Sequence, residues 1–367
     1  MAVRGLALRL GRGESREIAI ECSATVRPSQ VRICEIVGPM DVRLKVDHNK
    51  LRILIRVGDS SRLNPLMLLK LTCGDDVYYI GVLPLGPRAR RATIRRALKD
   101  LPEFSVGAPG VLAFQGGLFL SYRWRNGDKA RGELLEIAVD SGDLLFRNVI
   151  KRFKKTDYGY WSFEKSSFAT NGEEIAFLYC ADTGETWKIF KCVSQSPLEI
   201  DLPGKVLISN AKDPAILYDN SKKSYVIVYS NLRKLGHDLV VATSRDLKQL
   251  TTLSEGLAWN QFAAQGNRWA KTHIHAGHIS KIGKYYVLLY DALPRSPSCF
   301  GSGWLGIAIS ANLREWIDLT PDNPLWTGHG PDRTFRYVTI DISAGRYALF
   351  AEEEGESGRK DLVVYTS

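Results

Sequence analysis

Three histidines stand close together at His273, His275 and His278, and imidazoles exchange protons near neutral pH. On a strand the first two share a face, as in some zinc sites, but no acidic residue or cysteine adjoins them as a further ligand. A proton-transferring role is therefore expected ahead of a metal site. Carboxylates stand at Glu164, in Trp161-Ser-Phe-Glu-Lys-Ser-Ser-Phe, and at Asp213, in Lys212-Asp213-Pro214. A carboxylate working with an imidazole is the usual equipment of general acid–base chemistry. Either acid also has a plain structural use, Glu164 as the partner of an arginine and Asp213 as a turn residue before proline. Arg123, Arg125, Arg131 and the pair Arg336-Tyr337 supply guanidinium and phenol groups. A guanidinium donates in a fork to a carboxylate, a phosphate or vicinal hydroxyls, although Arg336 could equally neutralise Glu164 or Asp213. The chain has no G-x-x-x-x-G-K-[ST] loop, no G-x-S-x-G elbow and no H-E-x-x-H helix, so nucleotide hydrolysis, serine-esterase and zincin chemistry are excluded.

The elements that must position these groups repeat. Five segments share one pattern: a leading residue, a short apolar strand, a Gly or Asn turn, an aromatic strand, then a third strand. They begin at Ala108, Glu164, Asp213, His275 and Arg336, spaced 56, 49, 62 and 61 residues apart. Each unit reads as a small antiparallel sheet of about four strands, which cannot bury both faces alone. A ring of such sheets hides the apolar faces, so the sequence predicts an all-β fold, a five-bladed β-propeller over residues 105–367, with the leading residues converging on its axis.

Before the repeats, residues 1–86 carry short apolar strands separated by Gly, Pro, Asn and Asp turns, and predict a small β-sandwich. Residues 87–104 hold Arg88, Arg90, Arg91, Arg95, Arg96 and Lys99 between prolines, with Ile94, Ala97, Leu98 and Leu101 at helical spacing. This predicts a basic amphipathic linker helix, its charges a solvated face and not a nucleic-acid surface. Across 367 residues the formal net charge is +10, which favours an anionic partner. No apolar run is long enough to span a bilayer, and Arg4, Arg9, Arg12 and Arg16 interrupt any leader-like core, so a cytoplasmic protein without a membrane partner is expected. The six cysteines form no C-x-x-C pair and are expected to be buried free thiols, with Cys180 and Cys192 the candidate pair should a disulfide form. Glu352-Glu353-Glu354 reads as a solvated turn.

Lys212-Asp213-Pro214-Ala-Ile-Leu-Tyr-Asp219, then Ser224-Tyr225-Val-Ile-Val-Tyr229-Ser230 and Ala242-Thr-Ser-Arg-Asp246-Leu247, resembles the Asp-Pro blade of five-bladed glycoside hydrolases of the family 43 clan. Ala308-Ile-Ser310-Ala-Asn-Leu313-Arg-Glu-Trp316 is similar to their blade-ending phrase, and the likeness covers residues 105–367. The resemblance implies three acidic groups: a base in the first blade, a pKa-modulating Asp in the third and an acid Glu in the fourth. Here those positions fall at Ala108, Asp213 and His275. A His in place of the acid is similar to the family 117 hydrolases, and Glu164 is the candidate for the missing base. The implied function is an inverting glycoside hydrolase acting on a glycan or oligosaccharide, with Glu164, Asp213 and His275 catalytic and with Arg123, Trp161, His278, Arg336 and Tyr337 binding a carbohydrate that the arginines suggest is anionic. Trp161, Trp259, Trp269 and Trp304 are the aromatic residues available to stack on a sugar. No cofactor is expected, although the resemblance allows a divalent cation on the axis. A phosphorylase using inorganic phosphate and a non-catalytic carbohydrate-binding propeller are the alternatives, the latter favoured by Ala108.

Overall fold

Strand-forming residues dominate the chain. The computed structural model describes residues 2–21, 27–47, 50–58, 64–99, 101, 104–127, 131–233, 236–293, 303–343 and 346–367, which build an all-β molecule. The first seven strands are β1 (Val3–Arg9), β2 (Ser15–Glu21), β3 (Val31–Val37), β4 (Met40–Asp47), β5 (Lys50–Val57), β6 (Met67–Cys73) and β7 (Asp76–Leu83). They form two sheets, ordered β1-β7-β6-β3 and β2-β5-β4. Alternation along β5 turns Leu51, Ile53, Ile55 and Val57 inward against Leu69, Leu71, Ile80 and Val82 of the other sheet, a single shared core. Strands β6 and β7 are buried on both faces, which is why they read as nearly continuous apolar runs. Their second face, with Leu68, Tyr79 and Leu83, packs on Leu289, Ile307, Leu319 and Tyr347 of the repeats. Gly5 makes that approach possible, since a Cβ there would lie 2.0 Å from the Asp318 carbonyl oxygen.

Strand β8 (Arg90–Arg95) is followed by the repeats. The first unit has β9 (Phe104–Phe114), β10 (Gly117–Asn126), β11 (Gly132–Val139) and β12 (Asn148–Lys154); the second has β13 (Ser162–Thr170), β14 (Ile175–Asp182), β15 (Trp187–Ser194) and β16 (Lys205–Ser209). The third has β17 (Ala211–Asp219), β18 (Ser224–Arg233), β19 (Gly236–Ser244) and β20 (Thr251–Glu255), and the fourth β21 (Thr272–Ile282), β22 (Tyr285–Leu293), β23 (Trp304–Ser310) and β24 (Ile317–Asp318). The fifth contributes β25 (Phe335–Asp341), β26 (Ala348–Glu354) and β27 (Lys360–Thr366). Within each unit consecutive strands pair antiparallel. The first strands touch in cyclic order, β9 on β13, β13 on β17, β17 on β21, β21 on β25, and β25 back on β9. A parallel pairing of Lys360 with Ser105 joins the last unit to the first.

The expected linker helix is not formed. Arg90–Arg95 is a strand paired antiparallel with β27, and so supplies the fourth strand of the fifth unit. The reason is non-local: β27 would otherwise present an open edge, and a strand edge seeks a partner. Ile94 enters a core with Val106, Leu120 and Phe350, whereas Leu98 and Leu101, which a helix would bury, are 64% and 45% exposed. Arg91 and Arg95 are bound by the fold, Arg91 to Glu353 at 2.6 Å and Arg95 to the Tyr122 hydroxyl at 3.0 Å and the Phe146 carbonyl at 2.5 Å, while Arg88, Arg90 and Arg96 are exposed. Glu352–Glu354 is likewise no solvated turn: it ends β26 with all three side chains buried, because its register faces Phe335-Arg336 on one side and residues 360–362 on the other. Free thiols are found at Cys34, which is exposed, and at buried Cys180 and Cys192, which therefore do not pair; Cys73 is disulfide-bonded.

Because β8 closes the fifth unit, Ile94→Ala should lower the unfolding free energy by about 2–5 kcal/mol in a urea titration. Leu98→Ala, at an exposed position, should change it by less than about 0.5 kcal/mol, whereas a helix burying Ile94 and Leu98 on one face would lose stability at both.

Candidate active site

Each first strand carries a bulge near its start. Against the second strand, the register shifts across Ala108-Pro109 in β9, Glu164-Lys165 in β13, Asp213-Pro214 in β17 and Tyr337-Val338 in β25. In β21 the shift is split, between Thr272 and His275 and again between Ala276 and His278. Bulges re-aim side chains. Ala108, Asp213 and Tyr337 sit there at φ of 54°, 53° and 53°, a left-handed backbone that costs a residue with a Cβ roughly 1–2 kcal/mol. The register thus makes Tyr337, and not its neighbour Arg336, the fifth-unit equivalent of Asp213. At Ala108 the same backbone is kept without the carboxylate.

Asp213 and His275 meet. Both are buried, 0% and 1% exposed, and His275 Nε2 lies 3.8 Å from Asp213 Oδ2. The other ring nitrogen, Nδ1, is 2.8 Å from Asp291 Oδ1. A carboxylate only accepts, so Nδ1 carries the proton and donates it to Asp291, leaving Nε2 as the reactive nitrogen. The second oxygen of Asp291 accepts from the Tyr337 backbone N–H at 2.9 Å. Neither oxygen of Asp213 has a hydrogen-bond partner, nor has His275 Nε2. Lys212 Nζ approaches Asp213 Oδ2 at 3.4 Å, and Lys165 Nζ donates to the Pro214 carbonyl at 2.6 Å. Burial first, against the opposing pull of Asp213, brings the Lys165 ammonium down to about 8.

A second cluster adjoins the first across the Tyr337 ring. Arg123, fully buried, donates from Nε to Glu164 Oε2 at 2.6 Å, from Nη1 to Ser105 Oγ at 3.0 Å and from Nη2 to Glu352 Oε2 at 3.0 Å. Arg125 Nη2 pairs with Glu164 Oε1, and Arg336 Nη2 with Glu352 Oε1 at 2.7 Å. Arg336 therefore neutralises Glu352, neither Glu164 nor Asp213. Burial raises the Glu352 pKa, but Arg123, Arg336 and Arg125 together hold it far below the ordinary carboxylate range. Glu164 has both oxygens engaged by guanidiniums, so the alternative reading of this residue as an arginine partner describes its surroundings. The Tyr337 ring centroid lies 5.4 Å from that of His275, with the Arg336 and Arg123 guanidinium carbons 5.1 and 5.8 Å away.

The remaining candidates spread outward. Trp161 is 60% exposed and rests against Gly184, where a Cβ would lie 3.0 Å from its Nε1. Trp269, by contrast, is buried, stacked on Tyr290 and bonded to the Thr320 carbonyl at 2.6 Å. His278 does not join His275: its Nδ1 is 3.1 Å from Thr339 Oγ1, and it lines a cavity at the opposite end of the first strands, with Ile216, Ser280 and Ile340. Burial, with the Lys165 charge behind it, pulls His278 down to about 3. His237 in β19 and Asp291 in β22 are the functional neighbours that sequence reasoning missed. His237 packs its ring 5.0 Å from His273 and 5.7 Å from His275. Counting back along the β21–β22 hairpin comes within one residue of Asp291, whereas nothing local marks His237. Among the described residues no group of three His, Cys, Asp or Glu side chains is placed to hold a metal ion.

No protein-family model matches the chain, and no curated protein matches it. Its fold is similar to solved structures. A BT0996 RGII complex gives a TM-score of 0.59 at 14% identity, over 77% of the present sequence and 92% of the matched one. A glycoside hydrolase gives 0.55 at 14% identity, over 75% and 91%. The GH43_1 enzyme of Xanthomonas citri complexed with xylotriose gives 0.53 at 12% identity, over 76% and 89%. At these identities the likeness is one of fold.

The buried lysine yields a signed prediction. With a folded value of about 8 below the ordinary 10.5, the unfolded chain binds the proton that the folded chain has lost, so Lys165 makes stability rise from about pH 8 to 10.5. The urea midpoint of the wild type minus that of Lys165→Met should rise across that range; a difference that stays flat would overturn the assignment to Lys165.

Proposed function

We propose that the five units are the blades of a β-propeller, that residues 1–86 are a small β-sandwich before it, and that the protein is a glycoside hydrolase with its active site where the bulged first strands converge. The observation that carries this reading is the meeting of the Asp213 carboxylate with His275 Nε2, where both carboxylate oxygens and the ring nitrogen are buried and none has a hydrogen-bond partner. Buried polar atoms are normally satisfied, and those that are not mark places where a ligand completes the bonding. The glycoside hydrolases that share the fold support the choice of ligand.

In the proposed reaction His275 is the acid. Nδ1 is held by Asp291, so the proton to be transferred is carried on Nε2, the ring nitrogen that faces Asp213. That proton passes to the glycosidic oxygen as its bond to the anomeric carbon breaks, while a water oxygen attacks from the opposite face of the sugar. Asp213 lies too close to His275 to serve that opposite face, since inverting enzymes separate the two groups by roughly 6.5–9.5 Å to admit water. Glu164 is the acceptor of the water proton in this scheme. Its two guanidinium partners make it a weak base, and this specific feature favours the second reading: inorganic phosphate attacks without needing a base, so the enzyme would be a phosphorylase.

With an active oligosaccharide substrate in hand, His275→Gln should lower kcat by about 10²–10⁴-fold, the scale of a lost general acid. A panel of furanosides and pyranosides, assayed with and without phosphate, separates the two readings: turnover in phosphate-free buffer is hydrolysis, and strict phosphate dependence is phosphorolysis. Undiminished turnover in His275→Gln would overturn the assignment of the acid.

A further inference from the structure

The guanidinium cluster holds a buried donor without an acceptor. Among the described residues, Arg123, Arg125 and Arg336 share two carboxylates, Glu164 and Glu352. Lys360, a neighbour of Arg336, has Glu354 and Asp332 beside it. Arg125 is the weakest held of the three: its Nη2 touches Glu164, which Arg123 already holds, and its Nε is buried without a hydrogen-bond partner. A buried donor without an acceptor is costly, and fold closure does not call for it, because Arg123 alone spans both carboxylates. Tyr337 separates this cluster from His275 by the width of one aromatic ring.

We propose that the site recognises an oxyanion, the carboxylate of an acidic sugar, through Arg125, with the body of the sugar reaching across Tyr337 to His275 and Asp213. This rests on the glycoside reading of the same site. A carboxylate at Arg125 gives the buried Nε an acceptor. Burial and the charges of Arg123 and Arg336 already draw the Arg125 guanidinium down to about 9, and a bound anion acts against that shift. Phosphate presents the same chemistry, and the experiment separates the two sources.

Binding to the full chain is measured by calorimetry with galacturonate, galactose and inorganic phosphate, for the wild type and for Arg125→Met, with thermal melts alongside. Galacturonate should bind about tenfold or more tightly than galactose, as a charge-assisted hydrogen bond provides. Arg125→Met should lose that preference, yet melt without ligand at or above the wild-type temperature, since Glu164 keeps Arg123 as its partner and the buried donor without an acceptor is removed. Arg123→Met, which removes three buried hydrogen bonds and the one side chain that joins Glu164 to Glu352, should melt well below it. Tight binding of phosphate with no preference for galacturonate supports the oxyanion site and assigns it to phosphate. Equal binding of galacturonate and galactose with no phosphate binding overturns the proposal, as does Arg125→Met melting as low as Arg123→Met. Turnover of neutral glycosides without acid preference would leave the hydrolase standing and this inference fallen; oxyanion binding without turnover of any glycoside would do the reverse.

Discussion

A ring of sheets has to be held where its ends meet, and here Arg123 stands at that point. From β10 in the first unit it reaches Glu164 in the second and Glu352 in the fifth, so one guanidinium ties three sheets. The tie is made away from water, where removing one partner of a buried pair costs about 3–5 kcal/mol because the other charge is left stranded. The backbone closes the same seam, with β8 along the edge of β27 and Lys360 against Ser105. The bulges then follow: once the first strands are packed side by side, a register shift in each one turns its leading residue out of the ladder and toward its neighbours.

Those bulges separate structural charge from chemical charge. Glu164 and Glu352 have their oxygens engaged by arginine, whereas Asp213 and His275, at the same level of the ring, keep atoms with no hydrogen-bond partner. Asp291 works between the two, orienting His275 and anchoring the Tyr337 backbone. Ala108 shows the separation most clearly, since it holds the left-handed backbone of Asp213 with no group to present.

Much of this was legible in the sequence. Apolar alternation and Gly or Asn turns mark the strands, and their recurrence marks the units, because both depend on neighbours a few residues away. Asp213 and His275 were visible as the residues opening two of those units. Arg90–Arg95 was misread because Ile94, Ala97, Leu98 and Leu101 have helical spacing while the deciding partner lies at the far end of the chain: Arg91 and Glu353 are 262 residues apart. Glu352–Glu354 misled for the same reason, since three consecutive carboxylates look solvated until their distant arginines are known. A count comes within one residue of Asp291: the register of Ile282 with Tyr285 and Lys281 with Tyr286 would set Ala292 opposite His275, and the bulge at Gly277 moves the partner to Asp291. His237 had no such route, being brought to His275 by packing between units.

The central claim is that the unpartnered atoms around His275 are where a sugar binds. Nitrogen-15 NMR of the histidine side chains tests it without requiring turnover. The free protein should show His275 as the Nδ1–H tautomer, and an oligosaccharide that binds should move the His275 Nε2 resonance while leaving His278, at the other end of the first strands, in place. A bound oligosaccharide that shifts His278 and leaves His275 unmoved would contradict the account.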